Sequence, residues 1–295
     1  MYKTVMKNVY VIPGSPNTIV IKCSDYNWVV DPGMLASREV VLKESLSRLG
    51  VSEYDVLLSH THYDHIEALS ILNPRRVFVA AEEYSSMVNS EVRNALTYGF
   101  NQLPLLIGLK RIELQRNSVR IVSEEFKLGD FCGELVDLKG HSPGLLGLTI
   151  EDAIFVADSV FGDKLLARVG IPYHFNIELA VKALEKARKY AEDGYSGILS
   201  HGPFVNSKKL EEFIDLNLDR LRKIEEFTIE YLSLQSLSLE ELVAKILETL
   251  GSQLSIENII LGTVTVNSIL SKLSRDRGLT AELRDNVVKY RLERK

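Results

Sequence analysis

Two hydrophobic periodicities divide the chain into predicted strands and helices. Short apolar runs rich in β-branched residues are typical of β-strands, and they lie at residues 9–12, 18–23, 27–31, 54–59, 76–80, 118–122, 133–138, 145–150, 153–157 and 196–200. Apolar residues at helical spacing occupy residues 35–50 and 177–192. Because strands and helices are interspersed, the pattern predicts an α/β (α+β) fold in which helices cover the sheets.

The hydrophobic pattern changes near residue 207. Residues 208–232, 237–250 and 266–278 are amphipathic with helical spacing, and no low-complexity linker precedes them. We therefore expect a mixed domain at residues 1–206 and a helix-rich carboxy-terminal module at residues 207–295 that packs against it.

Composition narrows the possible partners and locations. The 295-residue chain has a formal net charge of −5, so it has no overall attraction to nucleic acids or anionic membranes. It contains neither a signal-peptide pattern at the amino terminus nor an apolar run of about 18 residues, the length that a membrane span needs. We expect a cytoplasmic protein with no membrane partner, and its oligomeric state stays open.

The histidines carry the strongest chemical signal. His60, His62, Asp64 and His65 lie within the motif HTHYDH, directly after the predicted strand at 54–59. Neutral imidazoles and carboxylates are the ligands that zinc and similar divalent ions prefer. This motif therefore predicts a loop with four potential metal ligands.

Three later predicted strands are followed by a residue of the same kind. These residues are His141 in GHSPG, Asp158 in VADSVF and His201 in SHGP. Strand ends on one edge of a layered fold converge, so side chains distant in sequence can meet there. Five of the six histidines are then expected to share one site.

Together these motifs resemble the metallo-β-lactamase superfamily. HTHYDH, GHSPG, the AD pair at 157–158 and SHG at 200–202 match its ligand motifs in order, and VVDPG at 29–33 resembles its early strand-end aspartate. The resemblance covers roughly residues 8–205 and implies a four-layer αββα sandwich.

The resemblance also implies a site for two divalent cations. One cation would be held by His60, His62 and His141, and the second by Asp64, His65 and His201, with Asp158 bridging the two. Asp31 would support the ligand loop from behind. Zinc is the expected metal, with iron and manganese as alternatives.

A two-cation site implies hydrolysis. Two cations lower the pKa of a shared water from 15.7 toward about 7, which generates a hydroxide at neutral pH. The expected activity is attack of this bridging hydroxide on a small ester, thioester, lactone or amide. Asp64 and Asp158 are the expected catalytic carboxylates, and Asp64 can also accept or relay a proton.

Departures from the family pattern narrow the subclass. Leu145 stands where many members have a second histidine after GHxPG, which disfavours a glyoxalase II type of thioesterase. Ala157 and Ser200 replace glycines of the pattern and are small enough to be tolerated. The interval between Asp158 and His201 is too short for the inserted domain of the RNA-processing β-CASP nucleases.

Two other activities remain open at this stage. A metal-dependent endonuclease acting on RNA or single-stranded nucleic acid would use the same site, and the basic, winged-helix-like tail around 272–295 would bind the phosphates. A mononuclear iron enzyme similar to persulfide dioxygenases would use only His60, His141 and Asp158.

Four further residues are candidates for substrate contact. Tyr173 and His174 lie between Asp158 and His201, where the family's substrate-facing loop falls. Lys164 and Arg168 follow Asp158 closely and could bind an anionic substrate group.

Overall fold

The computed structural model describes residues 2–23, 26–35, 38–99, 112, 114, 118–122 and 133–293. Within them the strands are β1 (Lys3–Met6), β2 (Val9–Ile12), β3 (Thr18–Lys22), β4 (Asn27–Val30), β5 (Asp55–Leu57), β6 (Val77–Val79), β7 (Val119–Ile121), β8 (Gly133–Asp137), β9 (Leu146–Ile150), β10 (Ala153–Ala157), β11 (Ser196–Leu199), β12 (Phe204–Val205), β13 (Leu279–Arg284) and β14 (Val287–Leu292). The helices are α1 (Glu39–Arg48), α2 (Tyr63–Ile66), α3 (Tyr84–Val88), α4 (Ser90–Tyr98), α5 (Asp163–Val169), α6 (Ile177–Glu192), α7 (Ser207–Leu234), α8 (Leu239–Thr249) and α9 (Ile256–Asp276).

Two main sheets form the centre of the fold. One has seven strands in the order β1-β2-β3-β4-β5-β6-β7, and the other has five in the order β12-β11-β10-β9-β8. The neighbours from β4 to β7 are parallel, as are β10 and β11. Parallel neighbours place the carboxyl ends of their strands at one edge of the sheet, which is the edge where the candidate site lies.

Alternating side chains on the strands build two apolar layers. In β3, Ile19 and Ile21 point into the core shared with the second sheet, whereas Val20 points to the opposite face. Leu42 and Leu46 of α1 pack on that opposite face. Side chains of this strand therefore alternate between two apolar layers, because both faces of the sheet are covered.

The second sheet is covered by helices of both parts of the chain. Ala183 and Ala187 of α6 pack in the same core as Phe155 of β10, and Leu210 and Phe213 of α7 extend this core into the carboxy-terminal module. The layers follow the order helix, sheet, sheet, helix, which confirms the predicted αββα sandwich.

Hydrogen bonds tie the two sheets together at the site edge. The Leu146 amide donates to the Ser59 carbonyl over 2.9 Å, and the Asn17 amide donates to the Ser200 carbonyl over 2.7 Å. The Asn17 side chain also donates to the Leu199 carbonyl. These bonds hold the loops of one sheet against the strand ends of the other.

The carboxy-terminal module consists of three helices and a hairpin. Helix α9 packs against α8, α4 and α6, and the β13–β14 hairpin packs against α7 and α9. The predicted helical segments are confirmed, and the tail that follows them forms a two-stranded antiparallel hairpin. Among the described helices, none combines the length and the apolar character needed to cross a bilayer.

Gly140, in the loop after β8, packs against the backbone of α6. Its φ is +142°, and a Cβ atom there would lie 2.3 Å from the Ala180 amide nitrogen. Gly50 also has a positive φ, +67°, but a Cβ atom would meet nothing within 4 Å. The two glycines therefore differ both in φ and in the space around them.

We predict that Gly140→Ala lowers the free energy of unfolding more than Gly50→Ala. Gly50→Ala should lower the free energy of unfolding by about 1–2 kcal/mol, because alanine is strained in the left-handed backbone conformation. Gly140→Ala should lower it by about 1–3 kcal/mol more, because its methyl group would also overlap α6. Urea unfolding of both variants measures the difference. Equal losses would contradict the close contact between Gly140 and α6.

Candidate metal centre

The candidate ligands follow the ends of four strands and meet at one edge of the sandwich. His60 lies three positions after β5, and the short helix α2 places Asp64 and His65 beside it. Asp158 directly follows β10, and His201 lies two positions after β11. A fourth strand, β8, leads into the loop that bears His141. All seven predicted ligands are brought together.

Three overlapping groups of ligand atoms form the cluster. Within each group, the potential ligand atoms lie within 4.8 Å of one another, and the groups are His60, His62 and His141; His60, His65 and Asp158; and Asp64, His65 and His201. His60 and His65 are each shared between two groups. Most of these side chains are buried, so their polar atoms face one another rather than bulk water.

The Asp158 carboxylate lies between imidazoles from both ends of the cluster. Its Oδ2 is 3.5 Å from His141 Nε2 and 3.3 Å from His201 Nε2, and its Oδ1 is 3.4 Å from His65 Nε2. Two atoms bound at about 2.0–2.2 Å to one tetrahedral cation lie roughly 3.3–3.6 Å apart. These separations therefore suit atoms that share a cation.

Asp31 sets the orientation of two histidines. It accepts hydrogen bonds from the Ser59 hydroxyl over 2.5 Å and from His65 Nδ1 over 2.8 Å. The Ser59 hydroxyl has donated its proton, so its 3.0 Å contact with His60 Nδ1 requires that nitrogen to donate. In their neutral form, both imidazoles therefore present an unprotonated Nε2 to the cluster, the form that binds metals.

Hydrogen bonds from outside the cluster also orient His141 and His201. His141 Nδ1 donates to the Tyr173 carbonyl over 2.8 Å. His201 Nδ1 lies 2.8 Å from the Ser15 hydroxyl. In each ring, one nitrogen is held from outside and the other faces the cluster, which is the arrangement that outer hydrogen bonds impose on metal-binding histidines.

Three buried atoms of the cluster have no hydrogen-bond partner. They are His60 Nε2, His65 Nε2 and Asp158 Oδ1. A buried polar atom without a partner costs about 1–3 kcal/mol, and a divalent cation would satisfy all three at once. The donor set and these atoms fit a metal centre.

Burial keeps three of the imidazoles neutral. It lowers the pKa of His62 to about 4 and of His141 to about 3, and it holds the pKa of His60 well below the usual range. Neighbouring imidazoles add to the effect on His60. These rings therefore keep free lone pairs at neutral pH.

The histidines beside Asp64 and Asp158 have raised rather than lowered pKa values. Burial alone would lower the pKa of His201, but Asp158 and Asp64 outweigh it and raise that pKa to about 10. Burial likewise would raise the pKa of Asp158, yet His201 and His65 hold it well below the usual range. Without metal, protons on these histidines balance the carboxylates, and a bound cation would replace them.

A cavity of 470 Å³ opens onto the cluster. Arg168 and Tyr173 line it, as the sequence predicts for substrate-contacting residues. Lys164 lies outside the lining, exposed on α5. His174 is fully buried behind His141, with ring centroids 5.9 Å apart, and does not line the cavity either.

Glu83, which has no sequence motif around it, joins the two main ligand loops. Its buried carboxylate accepts hydrogen bonds from the Thr61 hydroxyl (2.6 Å) and amide (3.1 Å) on one loop. It also accepts from the Ser142 hydroxyl (2.7 Å) and the Gly144 amide (2.9 Å) on the other. The HTHYDH and GHSPG motifs are therefore held together by one side chain.

We predict that Glu83→Gln lowers the free energy of unfolding by about 1–3 kcal/mol, because an amide cannot accept all four hydrogen bonds. Glu82→Gln is the matched control, since Glu82 is exposed and its ion-pair partner among the described residues is Lys139 at the surface, over 2.8 Å. Its effect should stay within about 0.5 kcal/mol. Thermal or urea unfolding that shows equal effects would contradict the role of Glu83.

Comparisons with known proteins agree with this geometry. Over its whole length the chain is similar to a beta-lactamase domain protein from Burkholderia ambifaria, with a TM-score of 0.70, 17% identity and coverage of 99% of this chain and 93% of that chain. A metallo-beta-lactamase family protein from Thermus thermophilus gives a TM-score of 0.68 and 14% identity, with coverage of 98% of this chain and 100% of that chain.

The chain is also similar to an archaeal metallo-beta-lactamase superfamily protein from Sulfolobus tokodaii, with a TM-score of 0.53 and 18% identity. This similarity covers 72% of this chain and 86% of that chain. No curated protein matches the sequence significantly. The sequence model of the metallo-beta-lactamase superfamily matches residues 11–193. The chain therefore belongs to the metallo-beta-lactamase superfamily.

Proposed function

We propose that the protein is a hydrolase that uses two divalent cations on a small ester, thioester, lactone or amide. His60, His62 and His141 would hold one cation, Asp64, His65 and His201 would hold the other, and Asp158 would serve both. Zinc is the proposed metal, and iron or manganese are the alternatives. The superfamily consists mostly of hydrolytic enzymes, which is the coarse activity that membership supports.

One observation carries the proposal: three ligand groups overlap at one cavity. A single cation would need only one of these groups. His141 and His201 lie 3.5 and 3.3 Å from Oδ2 of Asp158, and His65 lies 3.4 Å from its Oδ1, so both oxygens of that carboxylate have imidazole neighbours. This supports two cations over the single iron of the dioxygenase alternative.

When bound, the cations supply Lewis acidity and lower the pKa of water toward about 7. The chain holds the other groups that a hydrolysis needs. Asp64 lines the cavity and has a side chain that is 34% exposed, so it can accept a proton at Oδ2 and release it to solvent. His201 Nε2, 3.2 Å away, holds that oxygen in place.

Tyr98 is a neutral donor in the cavity wall. Burial raises the pKa of its phenol, and the carboxylates Asp64 and Glu257 raise it further. The hydroxyl therefore stays protonated at neutral pH and can donate a hydrogen bond to a substrate oxygen. Leu261 of α9 also lines the cavity and adds apolar surface to its wall.

Ion pairs in the tail favour a small substrate over a nucleic acid. Lys272 contacts Glu225 over 2.7 Å, Arg284 contacts Glu282 over 2.9 Å, and Lys289 contacts Glu241 over 3.1 Å. Arg275 is paired with Glu178. These bases are already paired with carboxylates of the same chain, and α9, the helix that leads into this basic tail, packs against α4 and α6. A nuclease would need such bases and such a helix to face its ligand.

We predict that the purified protein contains about two divalent ions per chain and hydrolyses model esters or thioesters. Chelation should abolish the activity, and zinc should restore it. Asp158→Ala should lower kcat/KM by about 100-fold or more and reduce the metal content. Asp152→Ala, an exposed aspartate in the β9–β10 turn, is the control and should change neither.

The outcome of the metal analysis distinguishes the alternatives. One iron per chain together with oxygen consumption would support the dioxygenase alternative instead. Cleavage of RNA without ester hydrolysis would support the nuclease alternative. Activity that survives both chelation and Asp158→Ala would refute the proposed centre.

A further inference from the structure

The cavity beside the metal centre is mainly apolar. Its walls come from α5, α9 and the segment that follows α5, and the apolar lining includes Met34, Phe161, Leu165, Val169, Ile171 and Leu261. A cavity of this kind binds an apolar group by removing its surface from water. The acyl part of a substrate therefore fits between α5 and α9.

Two charged residues outside the metal centre also line the cavity, Arg168 on α5 and Glu257 on α9. Neither has an ion-pair partner among the residues that the structure describes. Arg220 fixes the end of α5, because it donates to the Leu166 carbonyl over 3.1 Å and the Gly170 carbonyl over 2.6 Å. Arg168 is thus an unpaired guanidinium on a firmly held helix.

We propose that the substrate is an acyl compound with an aliphatic chain and one terminal carboxylate, which binds Arg168. A guanidinium matches a carboxylate with two parallel hydrogen bonds, and the apolar walls take the chain. Glu257 lines the same cavity, and its negative charge opposes the carboxylate of the substrate, so the attraction to Arg168 has to outweigh it. This proposal deepens the proposed function and rests on it.

Lys164 provides a matched control for Arg168. Both are basic residues of α5, one helical turn apart, yet only Arg168 lines the cavity. If general attraction between a basic helix and an anionic substrate were enough, both residues would contribute. If the cavity selects the substrate, only Arg168 contributes.

The test compares two series of 4-nitrophenyl esters, half-esters of dicarboxylic acids with about five to eight carbons and unsubstituted acyl esters of the same lengths. Arg168→Gln should raise KM for the half-esters about tenfold more than for the neutral esters. Lys164→Gln should leave KM for the half-esters within about twofold, and Glu257→Gln should lower it by about twofold or more.

The outcomes separate the proposed carboxylate site from the proposed hydrolytic function. Equal effects of Arg168→Gln on both series, or equal effects of Lys164→Gln and Arg168→Gln, would overturn the proposed carboxylate site while hydrolysis of the neutral esters upholds the proposed function. Failure of the metal-loaded protein to hydrolyse either series would overturn both.

A second inference concerns Thr265, a fully buried residue of α9. Its hydroxyl donates to the Pro172 carbonyl over 2.8 Å and accepts from the His174 amide over 2.7 Å. These bonds hold the backbone on both sides of Tyr173. The Tyr173 carbonyl in turn accepts from His141 Nδ1 over 2.8 Å.

From these contacts we infer that Thr265 is a positioning residue for the metal centre. It fixes the Tyr173 carbonyl, the carbonyl keeps a proton of His141 on Nδ1, and Nε2 is left as an acceptor that faces the cluster, 2.9 Å from His62 Nδ1. The Tyr173 ring also packs against His62, with centroids 4.9 Å apart. A residue of the carboxy-terminal module thereby orients a proposed metal ligand of the main domain. This inference also rests on the proposed function.

Zinc affinity, measured by competition with a chelating dye, tests this role. Thr265→Val keeps the shape of the side chain but removes the hydroxyl, so it should weaken zinc binding about 10- to 100-fold. Thr265→Ser should restore affinity to within about threefold. Thr263→Val is the control, because the Thr263 hydroxyl bonds only within α9, to the Ile260 carbonyl over 2.6 Å, and it should leave affinity unchanged.

Thermal unfolding of the metal-free variants separates positioning from stability. A Thr265→Val protein that is less stable but binds zinc as tightly as the unchanged protein would overturn the inference, as would a Thr265→Ser protein as weak as Thr265→Val. A protein without the substitution that binds no zinc would overturn the proposed metal centre itself.

Discussion

Charge compensation among buried imidazoles and carboxylates is the constraint on which this structure depends. Asp158 and its histidine neighbours are removed from water, where unpaired charges and unfilled lone pairs are costly. Without metal, protons held on His65 and His201 offset the carboxylates. The strand ends can converge only because each polar atom is matched by a proton, a hydrogen bond or, as we propose, a cation.

This constraint explains why residues outside the cluster are so closely tied to it. Asp31, Ser59 and the Tyr173 carbonyl each hold the outer nitrogen of an imidazole. Glu83 holds the two loops at a fixed separation through four hydrogen bonds. A metal centre assembled from four strands tolerates little displacement, so these supports matter as much as the ligands.

The carboxy-terminal module belongs to this arrangement as much as the sandwich does. Helix α9 contributes Leu261 to the cavity wall, and its Thr265 bonds to the backbone on both sides of Tyr173. Several of the basic residues considered for nucleic-acid binding are paired with carboxylates of the same chain. The module therefore contributes a wall of the cavity beside the cluster, which fits the small, largely apolar substrate that we propose.

The sequence by itself determined the strands, the main helices and the candidate ligands, because period-two and helical spacing are local and a histidine-rich motif is rare by chance. All ten predicted strands are present. The exposed edge strand β1 and the two-residue β12 are not among them, because neither contains an apolar pattern long enough to predict a strand. Only the tertiary structure decided the roles of Glu83 and Thr265. Glu83 is one of 40 acidic residues, and its partners lie 22 and 61 positions away. Tertiary packing likewise separated Arg168 from Lys164 and placed His174 behind the site, since the direction in which a side chain points depends on which elements pack together, and that is not a local property of the chain.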